Sequence, residues 1–391
     1  MLVWITVAPV ASADDGWTDL GFALAGTHGD PLLEGSGHLV PGTPMTLTLS
    51  NVRAETTTFA VVGLSAIYLP FSGGTFVPAP TFIFNFPTGG TAGSPSTLNL
   101  QGKLPGTIPI GTEIYSQFWT LDPVSPQGFS ASNGLLGTVR EFYTVIASQL
   151  DGLLEDAVGP NRSKPVYSSQ DFTNLVWVRN SNCWAASIDL TGMSPWNQSG
   201  GRTRAGTLIS PRHIAFAEHY RLSTSPGSNQ LVFVTADNQT ITRHLIAASY
   251  PIGDIGIGLL DQDVPPEISF HKVLPTNWAD SIERVNRLPM LHLDQEEKAL
   301  VRDMGALASN CTHKDAISTL RAPFTETLIG GDSGNPAFLL IGGEAILILT
   351  HFSAVHGPHY GYWVDEVNTA MTTLGGGYQL TTFDLEGYLQ N

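Results

Sequence analysis

One stretch of this sequence is suited to covalent chemistry: Gly331-Asp332-Ser333-Gly334-Asn335-Pro336, followed by an apolar run over 337–341. A serine set between glycines calls for an unusual turn, one that lifts the hydroxyl clear while successive N–H groups face one spot. Glycine permits it by tolerating positive φ and letting another molecule approach the backbone closely. Consecutive N–H groups of this kind suit the oxyanion of an acyl transfer. The competing reading is a glycine-rich hairpin turn that happens to hold a serine. A seryl hydroxyl is inert without a base, so the nucleophilic reading requires partners upstream.

The loop resembles the nucleophile loop of the trypsin-like (chymotrypsin-fold) serine proteases, and two further segments extend the likeness. Thr207-Leu208-Ile209-Ser210-Pro211-Arg212-His213-Ile214-Ala215-Phe216-Ala217-Glu218-His219-Tyr220 resembles that family's histidine segment, a strand followed by a tight Ala-x-His turn. Gly253-Asp254-Ile255-Gly256-Ile257-Gly258-Leu259-Leu260 resembles its aspartate segment. The resemblance implies Ser333 as nucleophile, His219 as base and Asp254 as the carboxylate that orients it. It also implies the N–H groups of Gly331 and Ser333 as the oxyanion hole. The order His, Asp, Ser is the one this family uses, and each interval is long enough for several strands. Such chemistry needs no cofactor and no metal.

The chain must supply sheets to bring these residues together, and its composition agrees. Gly 41 and Pro 26 among 391 residues imply many turns, and 42% hydrophobic residues imply a real core. The length points to two domains. Residues 14–138 read as a β-sandwich module, with strands over 45–49, 58–67, 81–86, 97–100 and 113–121. Turn signals such as Ser72-Gly73-Gly74 and Thr88-Gly89-Gly90 separate them. Its Thr and Ser faces could bind a surface ligand; the simpler reading is a folding or spacer domain. Residues 139–168 read as a helix over 142–157 and a linker, with Gly159-Pro160 as the stop. A protease-like domain follows over 169–380, then a C-terminal tail, 381–391. Within that domain 175–178, 184–190 and 345–350 read as strands, and 231–236 with 240–247 as a hairpin. Segments 280–287 and 295–303 read as helical or irregular, and 364–374 as a closing helix. The expected fold is all-β, a β-sandwich followed by a chymotrypsin-like double β-barrel.

Residues 1–13 are apolar and close with Ala11-Ser12-Ala13 before Asp14-Asp15, as the remnant of a secretory signal would. A buried first strand is the alternative. No later stretch reaches the ~20 uninterrupted apolar residues a membrane helix needs. A secreted or periplasmic protein without membrane insertion is therefore expected. The formal charge of −16 speaks against nucleic acid as a partner. Cys183 and Cys311 are the two cysteines, and an oxidising compartment would permit one disulfide between them. Tyr220 stands where the resembled family often has a cysteine beside its histidine, which favours a bacterial-type protease.

The resemblance also bears on specificity. The residue six before the nucleophile, at the base of the primary pocket, is Thr327, which cannot attract Lys or Arg side chains. Non-tryptic specificity is expected. The pocket wall aligns with Thr350-His351-Phe352, whose backbone would pair with the substrate. His351 could read an acidic side chain, though a small or apolar preference is the stronger expectation. Asp332 should be buried against a cation, since unpaired burial is costly. No sequence of the kind that releases an activating amine is present, so Arg212, Arg321 or Arg287 is the expected partner. Glu218, where the family has a small residue, is either solvated or acts on the histidine's basicity. His351, His356 and His359 are spaced for a loop rather than a zinc set. These readings describe an exported serine endopeptidase acting on proteins or peptides. The alternatives are a catalytically silent binding or adhesion protein of the same fold, and an esterase-like hydrolase.

Overall fold

The computed structural model describes residues 16–157, 162–197, 204–280, 282 and 285–385. The signal reading of 1–13, the Gly159-Pro160 stop and residues 386–391 of the tail lie outside them. The chain divides into two compact units with the boundary after Val145.

In the first unit, strands Leu32–Ser36, Pro44–Arg53 and Pro95–Lys103 form one sheet. A second sheet runs Trp17–Gly21, Gly134–Thr138, Glu113–Leu121, Thr57–Gly63, Phe82–Pro87, with Phe129–Ala131 also on Glu113–Leu121. Leu33, Leu47, Leu49 and Val52 of the first sheet meet Ala60, Phe118 and Leu135 of the second. The alternation along Pro44–Arg53 puts Leu47 and Leu49 inward. Asn51 then takes φ 60° and the register slips between Leu49 and Val52, a bulge that returns Val52 to the same core. The segment read as one strand over 58–67 is two, Thr57–Gly63 and Ala66–Phe71, the latter in a hairpin with Gly74–Pro78.

The second unit holds a two-stranded sheet, Tyr167–Asp171 with Val176–Arg179, and two larger sheets, each of which chain connectivity shows to close on itself. The seven-stranded sheet runs Met193–Ser194, Gly206–Leu208, His213–Ala217, Ile255–Leu260, Thr240–Ser249, Gln230–Val234, Trp196–Asn197. Its first and last members flank one residue, Pro195, so the sheet must curl into a barrel. The six-stranded sheet runs Glu344–Thr350, Pro336–Ile341, Pro289–Leu293, Ala299–Leu307, Asn310–Asp315, His356–Pro358. Its end strands are joined by the short turn 351–355. This is the chymotrypsin-like double β-barrel, in an all-β chain whose α-helices are Phe142–Asp156 and Val364–Leu374 among the described residues.

Glycines decide how the first barrel is filled. Ile214, Phe216, Leu231, Phe233 and Leu245 make its interior, while Ala215, Val232, Ile255 and Ile257 face the larger core shared with Leu291, Val301, Phe338 and Leu347 of the second barrel. Gly256 and Gly258 alternate with those isoleucines. A Cβ at Gly256 would come within 2.5 Å of the Phe216 ring, and one at Gly258 would collide with Leu245. Their missing side chains are what let Phe216 and Leu245 occupy the barrel axis. The helix Phe142–Asp156 adds Leu150 and Leu154 to the shared core, and its Asp151 pairs with Arg321 at 2.6 Å.

Two further readings change. Residues 184–190 form turns, with Ala186 N–H on Cys183 O and Ile188 N–H on Ala185 O, both at 3.0 Å. The stretch 295–303 is a hairpin tip running into the strand Ala299–Leu307. Residues 381–385 pack on the second unit, with Phe383 N–H donated to Val273 O at 2.8 Å. Gly256→Ala should lower stability by about 1–3 kcal/mol through overpacking against Phe216, read as a shift of the urea midpoint at constant slope.

Candidate active site

Strand register puts the histidine opposite the aspartate. His213–Ala217 pairs antiparallel with Ile255–Leu260, and the last pair is Ala217 with Ile255. One step further, Glu218 N–H donates to Asp254 O at 2.9 Å. The chain then enters a single turn, Glu218–Tyr220, that swings the imidazole back over the carboxylate. Asp254 Oδ1 accepts the main-chain N–H of His219 at 2.7 Å. The ring Nδ1 lies 2.9 Å from Oδ1 and 2.8 Å from Oδ2. An ionised carboxylate only accepts, so Nδ1 carries the proton and Nε2 presents a lone pair. That Nε2 is 2.9 Å from Ser333 Oγ, on the other barrel. The structure thus brings all three together, with the Asp254 side chain 9% exposed and that of His219 39%.

Ser333 sits in a turn before the strand Pro336–Ile341, with Gly331 at φ 111° and Gly334 at φ 86°. The N–H groups of Asp332, Gly334 and Asn335 are donated to Ile329 O, His351 O and Asp332 O, at 3.2, 2.9 and 3.1 Å. Among the described residues those of Gly331 and Ser333 have no such partner, the pair an oxyanion would require.

The cation expected beside Asp332 is replaced by amides. Its carboxylate accepts from Ile329 N–H at 2.6 Å and Gln295 N–H at 3.1 Å. Arg321 is instead committed to Asp151 and Asp303, and Arg212 donates to the Leu260 and Asp261 carbonyls. Arg287 receives Arg321 on its carbonyl and gives its N–H to Met304 O. Glu218 turns to Arg221, whose guanidinium lies 4.2 Å from the Tyr250 ring centroid. Its charge is therefore engaged at the site's margin.

The four pocket positions separate. Thr327 is exposed. Thr350 is buried, with Oγ1 3.2 Å from Tyr360 Oη. Phe352 remains at the site, its ring centroid 5.3 Å from that of His219, but its N–H is taken by His356 O at 3.1 Å. The wall expected to pair with substrate bends back there. His351 is 1% exposed and stacks on His292 with centroids 5.0 Å apart. His313 completes a buried trio whose nearest nitrogens lie within 4.8 Å of one another. Arg302 Nε donates to His313 Nδ1 at 3.0 Å, taking the lone pair a metal would need and setting a cation beside it. The trio is better suited to a neutral cluster, with His313 edge-on to the other two rings: burial first, then the neighbouring His351 and Arg302, holds His313 down to about 2. Burial and Arg302 hold His351 down to about 3. His356 and His359 turn elsewhere, to Ser353 Oγ and Ala308 O. Sequence reading missed His292, His313 and Gln295, which lie on separate segments with no motif to join them. The disulfide that an oxidising compartment would permit is not formed. Cys183 and Cys311 are both free and buried, the first donating to Lys164 O at 3.4 Å, the second in a strand opposite Gly357.

No protein-family model matches the chain, and no curated protein matches its sequence. Among solved structures the chain is similar to two mutants of human heparin binding protein, at 13% and 11% identity. Each match has a TM-score of 0.37 and covers 48% of this chain, with 95% and 94% of the respective neighbour.

Proposed function

We propose that this chain is a serine endopeptidase that hydrolyses peptide bonds through an acyl-enzyme. One observation carries the reading: the unbroken line of contacts from Asp254 through His219 to Ser333 Oγ, spanning two barrels. In this mechanism Nε2 of His219 takes the Ser333 proton as Oγ attacks the scissile carbonyl. Asp254 holds the imidazole tautomer and stabilises the imidazolium that forms. The Gly331 and Ser333 N–H groups receive the developing oxyanion. His219 then returns its proton to the leaving amine, and a water molecule, activated by the same base, releases the acyl group.

Substrate features follow from the side chains present. Thr327 supplies no carboxylate for a basic residue, and Phe352 offers an apolar surface beside His219, so a non-basic preference is assigned. The partner class is a protein or peptide. The signal-like residues 1–13 support an exported location, and the first unit serves as a spacer or carries a surface ligand. The competing reading is a silent binding protein that keeps the fold.

A fluorophosphonate probe should label the wild-type protein and leave Ser333→Ala unlabelled; an unlabelled wild type would sink the enzyme reading in favour of the silent one. Asp254→Asn should reduce kcat/KM on a peptide substrate by about ten-thousand-fold, because the amide imposes the wrong imidazole tautomer. A loss below about tenfold would remove Asp254 from the mechanism.

A further inference from the structure

The Gly330–Gly331 peptide has to be held by something outside itself. Gly331 stands at φ 111° directly after a second glycine, and glycine adopts either sign of φ at little cost. A rotation of that one peptide plane would turn the Gly331 N–H away from the Ser333 side of the loop. In a trans peptide the C=O and the next N–H point in opposite directions. Whatever grips the Gly330 oxygen therefore aims the Gly331 N–H.

Gln295 grips it. Its Nε2 donates to Gly330 O at 3.3 Å. Its carboxamide also fills the space where a Cβ on Gly331 would sit, so the side chain bears directly on that Cα. Its main-chain N–H donates to Asp332 Oδ1, so one residue holds both peptides before Ser333. The support is itself rigid. Gln295 lies at the tip of the hairpin between Pro289–Leu293 and Ala299–Leu307. There Asp294 Oδ1 accepts the N–H groups of Glu296 and Lys298, both at 2.9 Å. Lys298 and Lys164 close on the two oxygens of Glu326, at 3.0 and 2.7 Å, just before the nucleophile loop.

We infer that Gln295 is the positioning residue of the oxyanion loop, fixing the Gly331 N–H through the Gly330 carbonyl while its own N–H supports Asp332. The inference rests on the peptidase reading above. Gln295 acts through the loop, not on the reacting atoms. A loop held this way keeps its shape without a charged partner for Asp332.

Two variants and the wild type, on one peptide substrate, test it. Gln295→Met keeps the length and packing but cannot donate; Gln295→Glu replaces the donor by an acceptor facing the Gly330 oxygen. Each keeps the main-chain N–H to Asp332. Both should lower kcat by about tenfold, the value of one lost hydrogen bond, with KM within about twofold of wild type. The melting temperature should stay within about 2 °C. Turnover by the wild type with both variants at full kcat would overturn the inference and leave the peptidase reading intact. So would a loss that appears in KM alone, or only together with early melting. A wild type that neither turns over nor takes a fluorophosphonate label would instead remove the peptidase reading, and the inference with it.

Discussion

Asp254 holds His219 at two points, and that double grip is the constraint the rest of the site obeys. A carboxylate bonded only to the ring would leave the histidine free to pivot about its own backbone. Taking the main-chain N–H at 2.7 Å as well fixes where the turn begins. Hydrogen bonds to a charged acceptor contribute about 1.5–3 kcal/mol each, more than a neutral pair. The grip depends in turn on the register that sets Ala217 against Ile255. That register is protected by packing, because a slip of one residue would turn Gly256 and Gly258 outward and drive isoleucines into a barrel already filled by Phe216 and Leu245.

The second barrel meets a different demand with different chemistry. Ser333 lies in a turn of left-handed glycines that cannot stabilise itself. Its neighbours tie it down from both sides: Gly334 and Asn335 share main-chain hydrogen bonds with His351 beyond it, and the 294–298 tip supports it from below. Asp332 shows the principle most clearly. A buried carboxylate can be satisfied by aligned amides as well as by a cation, and two N–H donors do that here. Cations are spent elsewhere. Arg321 neutralises Asp303, which is 1% exposed, and reaches Asp151 on the helix Phe142–Asp156, joining helix to barrel.

Much of this was legible in the sequence. The alternation of Met45 to Leu49, the apolar run after Pro336 and the segment around Asp254 carry their strands on their face. The barrel fold was implied by the resemblance of three segments, in one order, to a known family. What misled was composition where the backbone had another option. Trp184, Ile188 and Leu190 are apolar and buried, which reads as a strand, yet successive turns bury them equally well. Gln295, Glu296, Glu297 and Lys298 read as helical or irregular because charged residues are common in both, and they form a hairpin tip that leads into a strand. The partner of Asp332 escaped for a related reason: charge logic searches side chains, and the answer was the main chain. The histidine trio was out of reach because its members come from two strands and a turn whose adjacency only the closed barrel creates.

The strand Phe82–Pro87 remains. It is the outermost member of its sheet, and Phe82, Ile83 and Phe84 are each more than half exposed, so side chains stand bare on both faces. Residues 81–87 include no charge, and an uncapped strand of this kind offers a template for another to add. Copies of a chain bearing −16 repel one another at low ionic strength and keep such edges apart. Added salt shortens the range of that repulsion without weakening the edge, so this molecule should be less soluble in brine than in dilute buffer.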